Sequence, residues 1–194
     1  MRRAGRIGVM VGLLAAAGLG FGGASAYAQR KSETIQATAW GQQRLAGKIF
    51  NLTIIIDSYS TADDQKMLLD AFQKGGQVQL VRVLEKMKSK GRVALTGTLG
   101  ATIAYVRSFP TETGRRVRIL TQRPIRFAEA FHGGRSTEYD VTAIELNLDR
   151  TDSSKSTGGL IIAAEIRVDK RTGQMVIESY GSGPWRLANF KEWK

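Results

Sequence analysis

The chain contains no cysteine among its 194 residues. Disulfide bonds, thiolate catalysis, cysteine metal sites and a lipid-modified N-terminal cysteine are therefore excluded. His132 is the one histidine. This excludes a zinc site built from several imidazoles, and any catalytic triad would have to use His132. We expect no metal and no cofactor.

The first 28 residues have the pattern of an export signal. Three arginines precede an apolar, uncharged run from Ile7 to Phe21, and Ala26-Tyr27-Ala28 matches a signal-peptidase site. We predict cleavage after Ala28 and a periplasmic or extracellular protein. The uncharged run from Ile7 to Ala28 is about 22 residues long, enough to span a bilayer, so an N-terminal anchor in the inner membrane is the alternative.

The composition is basic, with 29 lysines and arginines against 17 aspartates and glutamates and a net charge of +12. Removal of a signal with three arginines and no acidic residue leaves 26 basic and 17 acidic residues, a net charge of about +9. This balance favours anionic partners such as phospholipid head groups or acidic polysaccharide. Nucleic acid is not expected, because the protein is predicted to be exported and no nucleic-acid-binding motif is present.

The mature chain is predicted to hold one domain. Residues 29–45 are polar and lack periodicity, which predicts a flexible leader. Residues 46–194 then form a single α+β domain, long enough to bury a core without disulfides. Apolar and polar residues alternate from Lys48 to Ser58, which predicts a strand. Helical spacing follows from Thr61 to Gly75-Gly76 and again from Gln77 to Lys88, which predicts a helical hairpin.

Everything after Gly91 has the pattern of strands and short turns, with no room for helical crossovers. The predicted strands are Arg92–Thr98, Thr102–Phe109, Arg115–Thr121, Ile125–Ala130, Tyr139–Asp149, Leu160–Asp169, Gln174–Tyr180 and Trp185–Phe190. The predicted fold is α+β: a long antiparallel β-meander of six to nine strands, curled or barrel-like, with one helical hairpin after the first strand. Such a sheet often encloses a pocket for a small apolar ligand.

Seven short segments spread over most of the mature chain: Asp70–Gly76, Leu84–Met87, Arg115–Thr121, Arg123–Phe127, Ile144–Leu146, Ile177–Tyr180 and Pro184–Leu187. In these segments the chain resembles an uncharacterised family of secreted bacterial proteins with no assigned function. The resemblance implies a single secreted domain. It supplies no activity, cofactor or catalytic residue.

The candidates for catalysis are few. Glu129 lies three residues before His132, so these two are the candidate acid–base pair, although Gly133-Gly134 favours an exposed loop with an incidental histidine. Glu145 and Glu165 are the candidate carboxylate pair for glycoside hydrolysis. The alternative for both glutamates is a solvated strand face or a cross-strand ion pair.

Arginines are dense between positions 115 and 126. Arg116 and Arg118 share one face of a predicted strand, opposite Val117, and Arg123 and Arg126 follow them. Guanidinium groups suit phosphate and carboxylate, so these four arginines are the candidate ligand-binding residues. A solvated, solubilising strand face is the alternative.

The sequence favours an exported, non-enzymatic binding or accessory protein that holds an apolar or amphipathic, lipid-like ligand in a curled sheet. The first alternative is a cell-envelope protein that binds anionic surfaces through its arginine-rich strand face. The second is a secreted hydrolase. The sequence leaves the oligomeric state open.

Overall fold

The computed structural model describes residues 32–42, 46–96, 98–123, 141–168, 175–179 and 185–193. The elements in chain order are β1 (Glu33–Trp40), β2 (Ile49–Ile56), α1 (Ala62–Lys86), β3 (Gly91–Leu95), β4 (Ala101–Pro110), β5 (Gly114–Thr121), β6 (Val141–Asp149), a short 3-10 helix (Ser153–Lys155), β7 (Thr157–Val168), β8 (Met175–Ser179) and β9 (Trp185–Trp193). No helix within these ranges is long and apolar enough to cross a membrane.

The strands form a closed antiparallel barrel. Each strand from β1 to β7 pairs with its chain neighbours, and this includes β2 and β3, although α1 lies between them in the chain. The first part of β7 pairs with β9, and β9 pairs with β1, so eight strands close the ring. Strand β8 continues beside the last part of β7. This confirms the prediction of a long antiparallel meander with a barrel-like shape.

Period-two alternation divides the side chains between the barrel interior and the outside. The interior holds one cluster of buried apolar residues that includes Ile35, Leu52, Ile54, Val93, Ile103, Val117, Ile119, Leu146, Leu160, Trp185, Leu187 and Phe190. A second buried cluster lies outside the barrel, where α1 packs on β4 to β7. The helix therefore covers one side of the barrel and adds a second hydrophobic layer.

One sequence prediction is wrong, and one is refined. Residues 33–40, placed in the predicted leader, form β1, whose Ile35 and Ala39 are fully buried. The predicted helical hairpin corresponds to α1, which Gly75 and Gly76, two residues with non-helical backbone angles, divide into two helices. Gly76 has a φ of +61°, which glycine adopts without strain. The second helix returns toward the start of the first, because Lys90 lies 3.0 Å from Asp64 and Gly91 pairs with Ile56.

The barrel has two distinct ends. At the Glu33 end, β1 and β5 begin and β9 terminates, and the loop that joins β2 to α1 lies beside them. At the Trp40 end, β1 terminates and β2 and β9 begin. The predicted strand Ile125–Ala130 lies outside the described residues.

Candidate functional site

A group of polar side chains lies inside the barrel at the Glu33 end. Glu33 lies on the same face of β1 as Ile35, and Arg115 lies on the same face of β5 as Val117, so both point into the interior. Both are largely withdrawn from solvent, since the Glu33 side chain is 4% exposed and the Arg115 side chain 16% exposed. We call this group the interior ion cluster. It consists of Glu33, Tyr59, Arg115 and Glu192.

Arg115 is the centre of the interior ion cluster. Its Nη1 donates to Oε2 of Glu33 at 3.1 Å and to the hydroxyl oxygen of Tyr59 at 3.0 Å. Its Nη2 donates to Oε1 of Glu33 and to Oε2 of Glu192, the latter at 2.6 Å. The Tyr59 hydroxyl in turn donates to Oε2 of Glu33 at 2.8 Å. Such a bidentate, hydrogen-bonded arrangement is what a buried ion pair needs to offset its desolvation.

The surroundings shift the pKa of two members of the cluster. Burial raises the pKa of the Tyr59 hydroxyl, and the neighbouring Glu33 carboxylate raises it further. Burial opposes the charge of Arg115, yet the hydrogen bond with Glu33 and the other partners raise the pKa of the guanidinium above its usual value. Arg115 therefore stays charged and Tyr59 stays protonated. Because Arg115 is already bound to the carboxylates of Glu33 and Glu192, it is not available to bind an anionic head group. The interior ion cluster instead closes this end of the barrel.

At the Trp40 end, aromatic side chains line the interior. Trp185 is 1% exposed and its ring lies against Phe50, with ring centroids 4.6 Å apart. The indole Nε1 of Trp185 is buried, and no described residue accepts a hydrogen bond from it. Buried indole N–H groups normally have a partner, and the described residues supply none for this one.

Of the four predicted arginines, Arg116 and Arg118 have side-chain partners on the outer face of the sheet. Arg116 and Arg118 point outward from β5. The Arg118 Nε donates to Oε2 of Glu145 at 2.8 Å. The Arg116 Nε donates to Oδ1 of Asn147 at 2.9 Å and lies 3.8 Å from Glu145. Arg116 remains 42% exposed, whereas Arg118 is 13% exposed.

Further partners surround Arg118 on this outer face. The guanidinium carbons of Arg107 and Arg118 lie 5.4 and 5.6 Å from the centroid of the Phe109 ring, within the range of cation–π attraction. Arg107 also donates to Gln65 on α1. The outer face of β4, β5 and β6 is therefore a network that contacts the helix, which leaves less of its charge available to a ligand.

The other predicted site residues are not brought together. Glu145 lies between Ile144 and Leu146, both in the interior cluster, so Glu145 points outward. Ala164 and Ile166 pack in the outer cluster, which places Glu165 on the opposite side of the sheet. The two glutamates therefore cannot act as a carboxylate pair across one glycosidic bond.

Four predicted site residues fall in or next to the part of the chain that is not described. Arg123 is exposed after the end of β5, and its carbonyl oxygen accepts from the Thr121 hydroxyl at 2.6 Å. Arg126, Glu129 and His132 lie outside the described residues. Within the described ranges, no group of three or more histidine, aspartate and glutamate side chains is placed to hold a metal ion.

The interior ion cluster is not among the sequence predictions. A signal for it exists, because Arg115 has the same parity as Val117 and Ile119, which form the apolar face of the predicted strand. A charged residue on an apolar face indicates a buried charge with a partner. The partner Glu33 could not be found in this way, because residues 29–45 are predicted as a leader and not as a strand.

Comparison of the chain with protein-family models, with curated proteins and with solved structures finds no match. The function is therefore inferred from the fold and from the geometry of these residues.

Proposed function

We propose that this is an exported, non-enzymatic binding protein that holds a small, mainly apolar ligand inside the barrel near the Trp40 end. The observation that carries the proposal is the buried Nε1 of Trp185, a hydrogen-bond donor without an acceptor among the described residues. An unsatisfied buried donor costs about 1–3 kcal/mol, which a ligand with one acceptor atom recovers.

The architecture supports this proposal. An eight-stranded barrel has an interior just wide enough to be filled by side chains or to hold one small ligand. Ligand sites of this type are mostly apolar, with a few polar groups that fix the orientation of the ligand. The interior ion cluster closes the Glu33 end. The ligand therefore enters from the Trp40 end, where Trp185 and Phe50 lie.

The alternatives have less support. Arg116 and Arg118, two of the arginines for anionic-surface binding, already contact Glu145. A hydrolase would need Glu129 and His132, which lie outside the described residues, or the Glu145 and Glu165 pair, which the sheet separates.

Native mass spectrometry of protein purified from the periplasm tests the proposal. We expect an additional mass of one small molecule that is lost on denaturation. The variant Trp185→Phe keeps an aromatic ring against Phe50 but removes the N–H donor. It should bind an uncharged naphthylamine probe as well as the wild type, but bind the extracted ligand about fivefold more weakly, as expected for one hydrogen bond of about 1 kcal/mol.

Fluorescence gives an independent measurement, because Trp40 and Trp193 are 41% and 48% exposed whereas Trp185 is buried. In the variant Trp40→Phe/Trp193→Phe, Trp185 is the one remaining tryptophan. An apolar probe bound inside the barrel should quench its emission with a stoichiometry of one. A wild-type protein without additional mass and without saturable quenching of Trp185 would show that side chains fill the interior, and the proposal would be wrong.

A further inference from the structure

The side of the barrel that α1 leaves uncovered has an ordered outer face. Four strands contribute to it, in the order β9, β1, β2 and β3. The pairing registers place their outward residues in rows that cross the strands. Arg186, Trp40 and Ile49 form the row at the Trp40 end, and Trp193, Thr34, Ile55 and Arg92 form the row at the Glu33 end. We call this surface the helix-free face.

The described charged side chains that point outward from the four strands of the helix-free face are all basic. Arg92, Arg186 and Lys191 are exposed on this face. The two acidic residues of these strands, Glu33 and Glu192, point the other way and belong to the interior ion cluster. No acidic side chain therefore lies among the described outward residues of these four strands. Two acidic residues of the described chain lie at the border of this face: Asp57 follows β2 and lines one pocket with Ile55 and Arg92, and Asp152 lies beside the short 3-10 helix.

Two exposed indoles lie at opposite ends of this face. Trp40 is 41% exposed and Trp193 is 48% exposed. Trp193 pairs with Thr34, which lies six residues before Trp40 on β1, so the two rows are about 20 Å apart at 3.3 Å per residue. Across the four strands the face is about 14 Å wide. A linear polymer of several units can lie along such a surface and contact both indoles.

The rows between the indoles are polar. Thr38 and Asn51 face each other and share a hydrogen bond of 3.3 Å, and Gln36 and Thr53 form the next pair. These side chains offer donors and acceptors to hydroxyl groups. They also separate the apolar residues at the two ends, so the face has no continuous apolar area of the kind that enters the acyl region of a bilayer.

We propose that the helix-free face binds a linear polysaccharide that carries carboxylate groups. The indoles of Trp40 and Trp193 stack on sugar rings, the Thr, Asn and Gln side chains bind hydroxyls, and Arg92, Arg186 and Lys191 pair with carboxylates. This site is separate from the barrel interior, so a protein without an interior ligand could still bind the polymer.

Affinity electrophoresis and calorimetry with polygalacturonate test the proposal. We expect binding that weakens at least tenfold between about 50 and 300 mM salt, as for a site with several charge contacts. Trp40→Ala and Trp193→Ala should each weaken binding about tenfold, and Arg186→Gln/Lys191→Gln should weaken it and flatten the salt dependence. Val78→Ala and Lys74→Gln are the matched controls, because both residues are exposed on α1, which covers the other side of the barrel, and neither change should alter binding.

Other partners give distinguishable results. Equal binding of polygalacturonate and neutral dextran would remove the role of charge and overturn the proposal. Tighter binding to phosphatidylglycerol vesicles or to single-stranded DNA than to polygalacturonate, with the same dependence on Trp40, would assign the face to a lipid surface or to nucleic acid and also overturn it. So would a loss of binding in the control variants as large as in the Trp40 and Trp193 variants. Circular dichroism of each variant confirms that it is folded before binding is compared.

Discussion

Arg115 and Glu33 lie 82 residues apart in the sequence and meet in a bidentate ion pair inside the barrel. Their strands, β5 and β1, are four positions apart in the ring of eight, whichever way the ring is followed. The pair therefore links opposite walls of the barrel across its interior. Glu192 and Tyr59 complete the link, so three other parts of the chain are held by one guanidinium.

Removal of this guanidinium should be strongly destabilising. In Arg115→Met, Glu33 would stay buried without its cation, and we expect the free energy of unfolding to fall by about 3–5 kcal/mol. Urea denaturation at pH 7 measures the change. Combining it with Glu33→Gln should recover part of the loss, because the uncompensated charge is then gone.

The neighbouring arginine is the matched control. Arg116→Met changes the same chemical group on the same strand, but its side chain is 42% exposed and its ion pair with Glu145 is 3.8 Å long. A change of about 0–1 kcal/mol is expected. Similar losses for Arg115→Met and Arg116→Met would contradict the assignment of Arg115 as the central residue of the cluster.

The strands after Gly91 that the structure describes could be predicted because their alternation is carried by large apolar residues. Strand β1 could not, because its inner face consists of Glu33, Ile35, Ala37 and Ala39, of which only Ile35 gives a clear apolar signal. The neighbouring strand β9 carries large inner residues, namely Trp185, Leu187 and Phe190. Small and large residues therefore complement each other in this part of the barrel wall. That complementarity is a tertiary property, and a single strand does not reveal it.

The break in α1 could be predicted for a local reason. A Gly-Gly pair is a common end signal for a helix, and the residues on both sides have helical spacing. The chain turns back at Gly75-Gly76, because Lys90, four residues after the end of α1, contacts Asp64 in its first turn. Leu80 and Leu84 are buried on the outer face of the barrel together with Leu68, so both halves of α1 contact the same surface.

Gly91 should not tolerate a side chain. It begins β3 with a φ of +144°, and a Cβ atom there would meet the backbone carbonyl oxygen of Ile55. We expect Gly91→Ala to lower the free energy of unfolding by about 1–3 kcal/mol, because a neighbouring strand cannot move away cheaply. Gly159→Ala is the control, since nothing lies within 4 Å of its added Cβ, and it should be neutral or stabilising by up to about 1 kcal/mol. Equal midpoints in thermal unfolding for the two variants would contradict the close approach of β2 and β3 at Gly91.

The start of α1 should make stability depend on acid pH. Asp64 accepts from the Thr61 N–H at 2.8 Å in a capping box, and its carboxylate lies 3.0 Å from the Lys90 ammonium. Partial burial opposes its charge, but the Thr61 hydrogen bond and Lys90 outweigh burial, so the pKa of the Asp64 carboxyl lies below its usual value of 3.8. The stabilisation is therefore complete above that value and is lost as the pH falls through the lower pKa of the folded state.

Asp64→Asn tests this pH dependence, because it removes the charge and keeps the shape. At pH 7 the variant should be less stable than the wild type by about 0.5–1 kcal/mol, and the difference should shrink toward zero between about pH 4 and pH 2. Asp63→Asn removes a charge from the same turn without touching the capping box, and it should cost less. A difference between Asp64→Asn and the wild type that stays constant down to about pH 2 would show that the carboxylate charge is not the stabilising feature.

Tyr59 should make stability depend on alkaline pH in the opposite direction. Burial and the Glu33 carboxylate raise the pKa of its hydroxyl above the usual value of 10.0. Above about pH 10 the unfolded chain therefore releases this proton while the folded protein keeps it, and the free energy of unfolding falls as the pH rises. The contribution of Tyr59 is complete below about pH 10 and is lost as the pH approaches the raised pKa.

Tyr59→Phe separates this contribution from the other titrating groups. At pH 8 the variant should be less stable by about 1–3 kcal/mol, because Arg115 and Glu33 each lose a hydrogen-bond partner in the interior. Urea denaturation from about pH 8 to pH 11 should then show a steeper loss of stability in the wild type than in the variant, so the two curves converge. Curves that stay parallel up to about pH 11 would mean that Tyr59 ionises in the folded protein as readily as in the unfolded chain. The hydroxyl would then not be held between Glu33 and Arg115.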